Sequence, residues 1–182
     1  MYNDILGFYR SIPFILPVLS ILFGIIFQHW ESLYFGGSIV FVDIFITKSL
    51  KNFFKILYDL IGVVSLPIIG RGIRPDGATN CGCFINPDTI NQLAVSFGMP
   101  SGHSIVAGFL LSFVDIYIKE NYKNNTYTYI SRILLLLFCI SIGLSRIVIN
   151  CHTIQQVLIG LIIGYYLGFF FYKNMKYYKG IK

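Results

Sequence analysis

Two of the three histidines stand in polar breaks of an otherwise apolar chain. His103 lies in GMPSGHS, residues 98–104, and His152 in SRIVINCHTIQQ, residues 145–156. At neutral pH an imidazole can give up a proton or offer a lone pair, so a pair of them beside one anion can act as acid and nucleophile. Groups able to hold that anion are present. Arg146 precedes His152, and Arg71 and Arg74 open the segment RGIRPDGATNCGCFINPDTINQ. A guanidinium is a rigid fork of donors that matches phosphate oxygens. Gln156 follows His152 at helical spacing on one face, where its carbonyl oxygen can accept from one ring nitrogen and leave the other free to attack. Ser101 reads as an N-cap, and the helix start behind it offers free N–H groups and a positive dipole end. Gly102 lets an anion approach the backbone, and His103 falls in the first turn beside it. These residues together point to phosphoryl transfer through a covalent phosphohistidine.

The elements that must position them are membrane helices. The chain has 182 residues, 55% of them hydrophobic and 12% charged, about half the charge of an ordinary soluble domain. Mean hydropathy is +0.71. Apolar runs cover residues 12–27, 33–46, 53–70, 104–118, 130–149 and 154–172, and about 20 mostly apolar residues span a bilayer core. The pattern predicts an all-α fold: six transmembrane helices in one integral membrane domain over residues 1–182. The second run is short and carries Asp43. The first, flanked by Arg10, contains Pro13 and Pro17 and no small-residue cleavage site, so a retained helix is expected rather than a signal peptide.

A net charge of +6 raises the possibility of nucleic-acid binding, but the basic residues cluster at the ends of apolar runs. Positive-inside topology explains them better. With the N-terminus in the cytoplasm and six spans, Arg10, Lys48, Lys51, Lys55, Lys119, Lys123, Arg132, Lys173, Lys176, Lys179 and Lys182 fall on the cytoplasmic side. Arg71, Arg74 and Arg146 fall on the far side, with His29, His103 and His152. Head-group anchoring accounts for any single arginine there. Three beside two histidines read as an anion site.

PSGH at 100–103, RP at 74–75, and SR followed by His152 at 145–152 resemble the three motifs of the type 2 phosphatidic acid phosphatase superfamily, over about residues 51–172. The resemblance implies a six-helix membrane bundle with His152 as nucleophile and His103 as general acid. It implies that Arg74, Arg146, Ser101 and the Gly102 backbone hold the phosphoryl oxygens. No metal or other cofactor is implied, because the arginines carry the compensating charge. Where the family's first motif has a lysine, this chain has Pro67; Arg71 is the expected substitute, and Lys55 lies on the wrong side in the six-span topology. Where the family usually has an aspartate after the nucleophile, this chain has Gln156.

HTIQQV at 152–157 and GMPSGHS are similar to the dolichyl diphosphatase branch. The implied activity is hydrolysis of a lipid phosphate or polyprenyl diphosphate at a lumenal or exterior face, with the lipid tail among the helices. Endoplasmic reticulum and plasma membrane are equally compatible. The competing reading is a catalytically silent relative that binds phospholipid without turnover, supported by Gln156 and the missing lysine. A small transporter would leave the arrangement of Arg74, His103, Arg146 and His152 unexplained.

Cys81 or Cys83 paired with Cys151 would tie the long loop over the site in an oxidising compartment. Zinc held by the CxC pair and His152 is the alternative, and Cys139 reads as a core residue. Asp43, Asp59 and Asp115 fall within apolar runs, where acids are functional candidates, and pairing or structural roles are expected at least as strongly. The sequon at 124–126 falls in a cytoplasmic loop, so no glycan is expected. The basic tail at 173–182 reads as an anchor that touches anionic lipid.

Overall fold

The computed structural model describes residues 2–79, 81–83, 93–94 and 96–180. From Ser38 to Ile61 the sequence contains neither glycine nor proline, so nothing in that run stops a helix. Helix α2 (Trp30–Phe41), a π-helical turn (Val42–Ile46) and helix α3 (Thr47–Ile61) follow one another without a break. This continuity corrects the six-span expectation. The second and third apolar runs form one 32-residue span, and five helices among the described residues are long and apolar enough to cross a membrane. Lys48, Lys51 and Lys55, expected on or near the cytoplasmic side, recur with Asn52 at intervals of three and four and share one helix face.

Helix α3 stops at Gly62, whose φ of 70° is left-handed and whose N–H bonds to Tyr58 O at 3.0 Å. The remainder of the third apolar run is not helical. It folds into a ribbon of two short antiparallel strands, β1 (Ser65–Leu66) and β2 (Gly70–Arg71).

The other helices are α1 (Tyr2–Ile26), α4 (Gly102–Asn121), α5 (Thr126–Val148) and α6 (Ile154–Tyr178). Capping boxes start the last two: Asn125 with Thr128, and Thr153 with Gln156. The short connections between α1 and α2, α4 and α5, and α5 and α6 make each of these pairs antiparallel. Helix α4 is the most buried span. Its Ile105 and Phe109 form a core with Ile39, Val42, Phe113 and Ile142. Against it α6 presents Gly160, Gly164 and Gly168; a Cβ at Gly164 would lie 2.0 Å from Ile105 O, and one at Gly108 of α4 would lie 2.2 Å from Leu161 O. The two backbones touch, as small residues allow in membrane helix packing. Leu19, Leu134 and Phe170 point outward, as a lipid-facing surface requires.

Five spans among the described residues also change which residues share an end. Arg10 O meets His103, and Lys48, Lys51 and Lys55 line a cavity with Arg74, so these cations lie at the site end. At the opposite end Glu31 pairs with Lys179 and with His29, Glu120 with Lys176 and Tyr172, and Asp115 with Lys119 and Arg132. His29 therefore lies away from the other two histidines, contrary to the six-span expectation.

Candidate active site

Arg74 follows the ribbon and is fixed from outside by Ser96. Its Nε donates to Ser96 O at 3.0 Å, and Nη2 to Ser96 Oγ at 2.7 Å. Its remaining nitrogen, Nη1, donates to Cys151 O at 2.9 Å and lies 3.1 Å from His152 Nε2. A guanidinium has no lone pair to accept with, so His152 Nε2 is the acceptor in that contact.

The other ring nitrogen gives the same answer. Gln156, fully buried, donates from Nε2 to Arg71 O at 2.9 Å and to Ile73 O at 2.7 Å. Two carbonyl acceptors decide which end of the amide is which. Its Oε1 therefore faces His152 Nδ1, at 3.0 Å, and accepts from it. His152 carries its proton on Nδ1 and presents a lone pair on Nε2. Gln156 is also the third residue of the α6 capping box, with Oε1 receiving Thr153 N–H at 3.3 Å. Gly98, the first residue of GMPSGHS, makes this possible. A Cβ there would lie 2.7 Å from Gln156 Nε2 and 2.8 Å from Arg74 N.

Ser101 occupies the N-cap position of α4, but its side chain does not cap the helix. Its Oγ accepts from Ser104 Oγ at 2.9 Å, and its N–H donates to Gln156 O at 3.2 Å, tying the start of α4 to that of α6. The first-turn N–H groups beyond Gly102 thus have no side-chain cap. His103, buried, places Nε2 2.8 Å from Arg10 O. A carbonyl can only accept, so Nε2 carries the hydrogen and Nδ1 is left to exchange one.

Arg146, in the last turn of α5, is wholly buried. Nη2 donates to Cys81 O at 2.7 Å, while Nε and Nη1 are buried with no hydrogen-bond partner among the described residues. Buried donors of a charged group are costly unless an acceptor meets them, and a phosphoryl group is such an acceptor. The chain wraps onto the same residue, since Cys151 N–H and His152 N–H both donate to Arg146 O. Asn150 turns the link with φ at 55° and bonds Asp76 O. Cys81 and Cys151 form a disulfide, which joins loop to link and takes Cys81 out of the zinc reading's three ligands. Cys83 is a free thiol, raised above its usual range by burial first and by Asp43 second.

Arg71 contributes its carbonyl to Gln156, while its guanidinium is exposed, 3.6 Å from Asp76. Lys51, expected as a cytoplasmic anchor, lies at the site instead. Its Nζ donates to Phe97 O at 2.6 Å, and a cavity of about 450 Å³ is lined by Lys48, Lys51, Asn52, Lys55, Arg74 and Ser96. Lys51 brings to the site the amine that Pro67 cannot. Its helical spacing with Lys48 and Lys55 is the signal that could have found it; nothing local marks Ser96. Burial, followed by the charges of Arg74, Lys51 and Arg146, holds His152 well below the usual histidine range, with the Gln156 bond opposing. Burial lowers Arg74 to about 10, which leaves it charged at neutral pH.

The PAP2 superfamily profile matches residues 18–179, nearly the whole of this arrangement. The chain belongs to the PAP2 superfamily. Among curated proteins, a dolichyldiphosphatase from Saccharomyces cerevisiae is 24% identical over 170 residues, covering 91% of this chain and 62% of that protein. The chain therefore spans less than two thirds of that relative's length. No solved structure matches it. Within the PAP2 match, the RP, PSGH and SR…H segments lie far apart in sequence, yet hydrogen bonds from Arg74 to His152 and from Ser101 to Gln156 bring all three together.

Proposed function

We propose that this PAP2 protein is an integral membrane hydrolase that removes phosphate from a lipid phosphate or a polyprenyl, dolichyl-type diphosphate. The observation that carries the reading is His152: an unprotonated Nε2 beside Arg74, with the unpartnered Nε and Nη1 of buried Arg146 close by in the chain. In the first step Nε2 attacks the terminal phosphorus. The P–O bond to the leaving group breaks, its electron pair stays on that oxygen, and His103 Nδ1 delivers the proton. Arg74, Arg146, Ser101 and the Gly102 backbone hold the phosphoryl oxygens, whose charge their donors neutralise as it builds. Water then attacks the phosphohistidine, the P–N electron pair returns to Nε2, and His103 takes the proton back.

We assign the site end to the lumenal or exterior side. The Cys81–Cys151 disulfide supports an oxidising compartment there. The lysines of the opposite end, Lys119, Lys123, Lys173, Lys176 and Lys179, suit the cytoplasmic side.

The test is phosphate release from phosphatidate, polyprenyl diphosphate and sugar phosphates, by wild type beside His152→Ala. Wild type should release phosphate in the presence of a chelator and be inhibited by vanadate, and His152→Ala should be inactive. Full activity in His152→Ala overturns the mechanism. Wild type that binds lipid phosphates and hydrolyses none of the panel supports the silent-relative reading instead.

A further inference from the structure

Arg10 lies outside the residues matched by the family, and no motif assigns it a role. Two features of Arg10, on α1, bear on the site. Its carbonyl takes the Nε2 hydrogen of His103 at 2.8 Å. Its guanidinium Nε is buried without a hydrogen-bond partner among the described residues. Arg10 thus adds a cation to the end of the bundle that holds Arg74, Arg146 and Lys51, which makes more positive charge there than one phosphoryl group needs.

The position of Arg10 gives that excess a meaning. Arg74 is bonded to the nucleophile, so it belongs to the terminal phosphoryl group, whereas Arg10 is bonded to the acid, which stands where the leaving group departs. An alcohol leaving from a lipid monophosphate presents no anion there. A lipid monophosphate leaving from a diphosphate presents a full one.

We propose that Arg10 is the residue that selects a diphosphate: its guanidinium binds the inner phosphate, and its carbonyl fixes the imidazole that protonates the bridging oxygen. The inference rests on the phosphatase reading above. As the bond to the terminal phosphorus breaks, the inner phosphate gains one negative charge on the bridging oxygen. His103 Nδ1 gives that oxygen its proton, and Arg10 balances the charge that remains. A charge-assisted hydrogen bond in a buried site discriminates strongly, because its loss leaves the ligand's charge unpaired.

The experiment compares kcat/KM for a polyprenyl diphosphate and the polyprenyl monophosphate of the same chain length, using the full chain in nanodiscs. In Arg10→Gln the ratio of diphosphate to monophosphate activity should fall about 10- to 100-fold, and Arg10→Lys should recover part of it. Pyrophosphate should inhibit Arg10→Gln less than wild type, with inhibition by orthophosphate little changed. A ratio that stays constant in both variants overturns the inference, since an arginine that merely anchors α1 would lower both activities together. Wild type that cleaves the monophosphate and spares the diphosphate overturns it too, and leaves the phosphatase reading standing. Wild type that cleaves neither removes both. If Arg10→Gln loses its thermal unfolding transition, the same ratio and the same competition read on Arg10→Lys decide.

Discussion

Gln156 Oε1 lies 3.0 Å from His152 Nδ1, and the other end of the same amide donates to the carbonyls of Arg71 and Ile73. One side chain therefore sets the tautomer of His152 and pins the strand that leads to Arg74. A carboxylate can do only the first, because it has no hydrogen to donate when ionised. The departure from the family's usual aspartate is matched to the ribbon this chain folds beside it.

Gln156→Asp should therefore lower activity, although it restores the more usual residue. The two carbonyls lose their donor, Arg74 loosens, and KM should rise about tenfold, the scale of one net hydrogen bond. The new negative charge also favours imidazolium, so the acid limb of the kcat/KM profile should move to higher pH. Steady-state kinetics over pH check both effects; an unchanged KM with an unmoved limb would mean that Gln156 neither holds the ribbon nor tunes the nucleophile.

The pH profile of the wild type follows from the direction of the His152 shift. Attack requires neutral imidazole, and burial together with Arg74 keeps it neutral well below the ordinary value of about 6.5. The acid limb of kcat/KM should lie below pH 6.5. Arg74→Gln removes one cause of the shift, so the limb should move upward whatever happens to the absolute rate. Stability obeys the same linkage. The unfolded chain binds a proton at this histidine near pH 6.5 and the folded chain does not, so this contribution is present above that pH and is lost as pH falls below it. Thermal midpoints measured between pH 8 and 5 should show the fall.

Reduction should loosen the contact between Cys81 and the site. The Cys81–Cys151 bond closes a loop with a sequence separation of 70, for which chain entropy corresponds to about 4 kcal/mol. Cys81 also gives its carbonyl to Arg146 Nη2, so loss of the bond should raise KM as well as lower the thermal midpoint. Dithiothreitol on wild type and the Cys81→Ser variant should have the same effect, and Cys81→Ser should no longer respond to the reductant.

The residues that gather at the candidate site are more legible in the sequence than the architecture that presents them. His103, His152, Arg74, Arg146 and Gln156 are marked by residue type and by short local spacing, and short-range geometry is what a motif encodes. The span count fails where local polarity misleads. Lys48, Lys51 and Lys55 look like a loop one residue at a time and like a helix face only when their period is read, with no glycine or proline to interrupt it. Joining those two runs into one helix moves His29 away from the site and brings Lys51 and Arg10 to it. Ser96 carries no signal at all, because its partner, Arg74, stands 22 positions earlier in the chain.

The register of α4 against α6 is what holds the two histidine segments at one level. They approach closely at Gly164, where a methyl group would lie 2.0 Å from Ile105 O, in the backbone of the facing helix. Backbone cannot rotate aside as a side chain can, so Gly164→Ala should separate the helices and cost about 1–3 kcal/mol, the range for overpacking. The bond from Ser101 N–H to Gln156 O spans the same seam, so activity should fall with stability. Gly37 is the control. It too is helical, but a Cβ there meets nothing within 4 Å, and Gly37→Ala should be neutral or stabilising by about 0.5–1 kcal/mol through backbone entropy alone. Thermal midpoints and phosphate release of the two variants, measured in one detergent, separate a requirement for close helix contact from a general intolerance of substitution at glycine.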